Sequence, residues 1–215
     1  MILGHRLRQI QHEYGTKNLV DPFGDSSGMS LYKFDGDATD EGGTYDGTPS
    51  NITYTTGLDG QCAVFSGSSS YISAPSYSAG TSFSYSVWLK PDVINTTSRY
   101  ILDFSSSRTL LAACANSSTN MQYYAGGWTS LSYQLSTTTW QHACLVVAGT
   151  SLKLYINGSL ITSTTTTATS LSGTLGIGSY WEGSSTCYDG YLEQLRIFNK
   201  ALSSTEVGVL YHELD

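Results

Sequence analysis

Apolar and polar positions change rhythm along this chain. Ile2, Leu3, Leu7, Ile10 and Tyr14 fall on one side of a 3.6-residue period, among basic and amide residues, which predicts a short amphipathic helical arm. Turn formers then crowd Asp21-Pro22-Phe23-Gly24-Asp25-Ser26-Ser27-Gly28, so residues 1–28 read as arm and linker and 29–215 as the body. From Leu31 the apolar period drops to two: Phe83, Tyr85, Val87 and Leu89 alternate with Ser84, Ser86, Trp88 and Lys90 until Pro91 stops the run.

Further strands are predicted over 100–105, 109–115, 121–125, 130–135, 141–148, 151–156, 159–165, 174–179 and 189–198, a spacing that suits antiparallel sheets. Asn157-Gly158, between Leu152–Ile156 and Ser159–Ile161, supplies the two positive φ angles of a type I′ hairpin. Ser203, with Glu206 three residues on, predicts a capped helix that carries Val207, Leu210 and Tyr211 on one face.

Composition supports the same class. Only 13% of residues are charged, while Ser, Thr, Gly and Tyr abound, as on a β-rich surface. A length of 215 residues fits one all-β unit with an appendage. The net charge of −7 argues against nucleic acid, which needs clustered Lys and Arg. Arg6, Arg8 and Lys17 outweigh Glu13 at the start, so the acid surplus sits in the body. The first residues lack the pattern of a signal peptide, and no apolar run is long enough to insert in a membrane. Cys62, Cys114, Cys144 and Cys187 are widely spaced with no C-x-x-C pair; buried free thiols are favoured over disulfides, because Cys114 and Cys144 lie in apolar strand-like runs.

Several stretches in register resemble a known family. Leu31-Tyr32-Lys33-Phe34-Asp35-Gly36-Asp37, Gly57-Leu58-Asp59-Gly60, Phe83–Pro91, Trp140-Gln141-His142, Leu154–Gly158 and Tyr188–Ser203 are similar to successive strands of laminin G-like domains of the concanavalin A-like superfamily. The resemblance implies an all-β, two-sheet antiparallel jelly-roll sandwich with a short N-terminal arm and a short C-terminal helix. Residues 45–57 and 67–72 further resemble such modules in structural proteins of tailed bacteriophages. This implies a non-catalytic virion protein, a capsid decoration or tail fibre subunit, made in the host cytoplasm and displayed on the virion surface. The alternative is a carbohydrate-binding or adhesion module of a cell-surface protein.

Glycosidases need paired carboxylates flanking the sugar bond, and the strand at 189–198 offers Glu193 as its sole interior acid, so no catalytic residue is assigned. Gly24-Asp25-Ser26-Ser27-Gly28 matches G-x-S-x-G but sits among turn formers, where a strand–Ser–helix elbow is not expected. The resemblance implies a structural Ca²⁺ site where the first and last strands meet, with Asp35, Asp37, Asp40 and Glu193 as ligands; the competing reading has these acids capping turns or pairing with Lys33 and Arg196. For a glycan ligand, Tyr123, Tyr124, Trp128, Tyr133, Tyr180, Trp181 and Tyr188 lie near predicted loops, and Trp128, Tyr180 and Trp181 are preferred because loop formers flank them. Ile2, Leu3, Leu7 and Ile10 are expected to dock the arm on a capsid or tail protein or on copies of the chain; a homo-oligomer is expected, with a trimer among the options.

Overall fold

The computed structural model describes residues 19–180 and 186–214. Among these residues, fifteen strands form two antiparallel sheets. One sheet carries β13 (Ser159–Thr165), β12 (Ser151–Ile156), β11 (Gln141–Ala148), β6 (Ser82–Pro91), β15 (Asp189–Phe198), β4 (Gln61–Ser66) and β3 (Thr53–Thr56) in that order, with β1 (Gly28–Tyr32) also on β15. The other orders β10 (Trp128–Ser130), β9 (Gln122–Ala125), β8 (Thr109–Cys114), β7 (Arg99–Phe104), β14 (Ser172–Ile177), β5 (Tyr71–Ser78) and β2 (Thr48–Ser50). The expected two-sheet jelly roll is what the chain adopts. The strand expected at 130–135 is absent; a three-residue strand at 128–130 precedes it, and Ser132 takes a φ of 54° that breaks extension.

Period-two patterning sets which side of each strand meets the core. Tyr85, Val87 and Leu89 of β6, Leu145 and Val147 of β11 and Leu192, Leu195 and Ile197 of β15 face Ile101, Phe104, Leu111, Tyr123 and Ile177 of the opposite sheet in one buried cluster. Two close approaches depend on glycine: a Cβ on Gly178, whose φ is +79°, would lie 2.2 Å from the Phe65 ring, and one on Gly57 would lie 2.3 Å from Glu193 Oε2.

The helix α1 (Ser204–Tyr211) covers part of the outer face of the eight-stranded sheet. Ser203 and Glu206 form the expected capping box, and Val207 and Leu210 are buried against Phe198, Cys144, Val146, Tyr155 and Phe23. Phe23 and Val20 are both buried, so the packed body reaches back to residue 20. The hairpin at Asn157-Gly158 has φ values of 49° and 75°, as a type I′ turn requires. All four cysteines are buried and free. No described helix is long and apolar enough to cross a membrane.

Candidate functional site: an aromatic face on the seven-stranded sheet

Strand register places one residue from each strand in a row across the outer face of the seven-stranded sheet. Trp128 pairs with Tyr124, Tyr124 with Leu110, Leu110 with Asp103, Asp103 with Gly176, Gly176 with Ser73 and Ser73 with Thr48. A second row runs Ser130, Gln122, Ala112, Tyr100. Because alternate residues point to opposite faces, neighbours such as Tyr123, Leu111 and Phe104 turn into the core.

Aromatic side chains gather at one end of these rows. The Tyr100 and Trp128 rings stack with centroids 6.2 Å apart, Tyr124 meets Trp128 edge-on at 5.2 Å, and Tyr180 lies 5.5 Å from Tyr100. Beneath them Leu110 and Ala112 form a small apolar floor. Trp128, Tyr124 and Tyr180 remain half-exposed, so their ring faces and edges are open to solvent. Arg108, exposed and with a φ of 49°, donates from Nη2 to Tyr180 Oη at 3.2 Å. Asp103 and Gln122 bring polar groups to the same face, both nearly buried. Burial, with the Tyr180 and Asp103 neighbours, raises the Tyr100 phenol above its ordinary value, so it stays protonated and hydrogen-bonding near neutrality.

Two of the three aromatics singled out from the sequence, Trp128 and Tyr180, therefore belong to one cluster. Trp181 lies outside the described residues, as do Ile2, Leu3, Leu7 and Ile10. Tyr100 and Arg108 were missing from the expected site, and Tyr124 was among the loop-adjacent aromatics without being one of the preferred three. Of the other loop-flanked tyrosines, Tyr123 and Tyr188 are core residues, and Tyr133 accepts a hydrogen bond from Gln141 Nε2.

The four carboxylates expected to hold calcium do not converge. Asp40 is buried and accepts backbone N–H bonds from Leu31, Gly42, Thr44 and Tyr45 at 3.0–3.2 Å, pinning the loop after β1. Asp37 caps Thr39 through its N–H and its hydroxyl. Glu193 accepts from the N–H groups of Leu58 and Asp59 at 2.6 and 2.7 Å, and Asp35 from that of Gln61 at 3.0 Å. Asp35 and Glu193 thus meet on the 57–61 loop, whereas Asp37 and Asp40 work elsewhere. Burial raises the Glu193 carboxyl above the usual range against those two N–H bonds. Among the described residues no three or more His, Cys, Asp or Glu side chains gather as a metal site, and the four acids of the resemblance-derived calcium set are spread over separate loops. The turn-capping reading describes these acids better; Lys33 pairs with Glu41, and Arg196 with Glu213. Ser26 likewise sits in a turn, its N–H bonded to Asp21 Oδ2 ahead of β1, with no helix after it.

The laminin G-type profile of the concanavalin A-like lectin/glucanases superfamily matches residues 66–208, well over half of the chain. The chain belongs to this superfamily. Among solved structures, domain 4 of AbnA, an extracellular arabinanase of Geobacillus stearothermophilus solved in complex with arabinotriose, is similar at 23% identity and a TM-score of 0.72, covering 85% of this chain and 97% of that one. The botulinum neurotoxin serotype G binding domain is similar at 16% identity and a TM-score of 0.67, covering 86% of this chain and 50% of that one. A Trypanosoma rangeli sialidase in complex with the inhibitor DANA gives 12% identity and a TM-score of 0.67, over 97% of this chain and 37% of the enzyme. This chain thus spans about half of the toxin domain and less of the sialidase, and these likenesses speak to the fold alone. Among curated proteins no sequence matches.

Proposed function

We propose that this chain is a non-catalytic glycan-binding module whose sugar platform is the face formed by Trp128, Tyr124, Tyr100 and Tyr180. The observation that carries the reading is the half-exposed Trp128, braced on both sides by tyrosine rings beside the exposed Arg108 guanidinium and the Tyr180 hydroxyl. Sugar rings present flat C–H faces that stack on aromatics and a rim of hydroxyls that needs such donors and acceptors. The superfamily's lectins and the arabinotriose on the AbnA domain support a saccharide as the class of ligand. Against catalysis stands Glu193, the interior acid of β15, whose two carboxylate oxygens are taken up by the backbone amides of Leu58 and Asp59.

The setting proposed for the module is the virion surface, on the strength of residues 45–57 and 67–72, with the residues ahead of Val20 as its attachment. Peptide mass fingerprints of purified particles test the setting. A saccharide screen by calorimetry, with Trp128→Ala beside the unaltered chain, tests the function: binding that vanishes in the variant while its melting temperature holds is the expected result. Saccharide binding unaffected by Trp128→Ala would move the site elsewhere.

A further inference from the structure

The sheet edges of this molecule are unequal. Of the five described strands that pair on one side only, four are short, with three residues in β2, three in β10, four in β3 and five in β1. Short edges expose few unpaired backbone groups and resist pairing with other chains. The fifth, β13, runs for seven residues, Ser-Leu-Ile-Thr-Ser-Thr-Thr, and no described strand pairs with its outer side. No residue from 159 to 171 carries a charge and none is proline. Leu160 and Ile161 are 51% and 41% exposed, two of the four large apolar side chains left open among the described residues. A bulge against β12 at Leu154/Tyr155 kinks the start of the strand, yet Thr162 to Thr165 pair with Leu154 to Ser151 in regular register, leaving a straight outer edge.

We propose that β13 is the contact between two copies of this chain, pairing antiparallel with itself about a two-fold axis. Such a contact is isologous, so the edge must complement its own reversed copy. An uncharged Ser/Thr/Leu/Ile strand does so without like-charge repulsion, whereas the rest of a chain of net charge −7 repels its copy. An antiparallel pair keeps its faces aligned when the axis stands perpendicular to the sheet. The eight-stranded sheets then join edge to edge, and both seven-stranded sheets lie on one side of the pair.

The position of β13 gives this arrangement a functional consequence that rests on the glycan reading. The Thr162 hydroxyl donates to the carbonyl of Leu131, in the segment that follows β10, so the β13 edge lies at the same end of the sandwich as Trp128. The two aromatic platforms come to lie beside the axis and face the same way. One glycan-coated surface can engage both, and the second contact forms at high effective concentration.

The test is the solution mass of the full chain by sedimentation over a range of concentrations, beside Ser163→Lys/Thr165→Lys, which sets exposed positive charges against each other across the axis. A concentration-dependent dimer in the unaltered chain that reverts to monomer in the double variant, with an unchanged melting temperature, is the expected result. Slowed exchange of the β13 amides at high concentration supplies an independent reading if the variant folds poorly. A chain that stays monomeric, or an oligomer that ignores the two lysines, overturns the proposal and leaves the edge for a partner's extended segment. The glycan reading fails separately: a β13 dimer that binds no saccharide sinks the platform but not the interface. A dimer whose affinity for immobilised glycan exceeds that for the same glycan free in solution supports both.

Discussion

Asn157 and His142 hold each other across the β11–β12 ladder by two hydrogen bonds. The His142 N–H donates to Asn157 Oδ1, and the Asn157 N–H donates to the His142 carbonyl, each at 2.9 Å. Asn157 therefore does two jobs: it adopts the positive φ that the hairpin needs, and its side chain ties the turn to the sheet. Replacement by glycine keeps the first and loses the second, so Asn157→Gly is expected to cost about 1 kcal/mol. Asn157→Ala loses both and is expected to cost about 2 kcal/mol or more. Urea denaturation of the two variants separates the terms.

His142 itself predicts a pH dependence. Its ring is buried between Trp88 and Tyr211, its Nε2 bonds to Ser86 Oγ at 2.8 Å, and its Nδ1 has no hydrogen-bond partner. Burial, with the Arg196 charge, pushes its pKa down to about 3 from an ordinary 6.5. The folded protein thus holds the ring neutral where the unfolded chain would protonate it. Stability is full above about pH 6.5 and falls as the pH drops toward 3, by about 1.4 kcal/mol per unit in the lower part of that window. Urea midpoints between pH 7 and pH 4 are expected to fall, and His142→Gln is expected to flatten the slope.

Glu193 anchors a loop, and the anchor can be weakened without creating a cavity. Glutamine at 193 keeps one acceptor oxygen but turns an amide NH₂ toward the second donor, orphaning the N–H of Leu58 or Asp59. Glu193→Gln is therefore expected to cost about 1–3 kcal/mol. Because the carboxylates expected to bind calcium are employed in such anchoring, neither added calcium nor chelator is expected to shift the melting temperature. A calcium-dependent rise of several degrees would restore the metal reading.

Much of this architecture was legible in the chain because local rules and global fold agree. The alternation through Phe83–Leu89, the Asn157-Gly158 turn and the Ser203/Glu206 cap each specify their element through short-range chemistry, and each formed where expected. The aromatic face was only half legible. Trp128 and Tyr180 stood out by their loop-forming neighbours, but Tyr100 and Tyr124 lie in strands, and their outward direction depends on register. The bulges between Arg99 and Leu102 decide that register for Tyr100, and no pattern in β7 announces them. The carboxylates are ambiguous for a related reason: an acidic residue near two strand ends looks the same whether it will meet a cation or a backbone N–H.

The sharpest test of the aromatic face uses two adjacent residues. Tyr123 and Tyr124 are chemically identical neighbours on β9, and the pleat sends them to opposite sides. Tyr123 is 1% exposed in the main core, so Tyr123→Ala removes a whole ring from packed surroundings and is expected to cost about 3–5 kcal/mol of stability. Tyr124 lies half-exposed on Leu110, edge-on to Trp128, and its loss opens no internal cavity. Tyr124→Ala is expected to cost little stability, and about tenfold in saccharide affinity as one stacking partner of the platform disappears. Calorimetric melting and saccharide titration of the two variants give opposite patterns if this face is the platform. If Tyr124→Ala leaves affinity intact while Trp128→Ala abolishes it, the sugar stacks on the Tyr100 side of the indole instead.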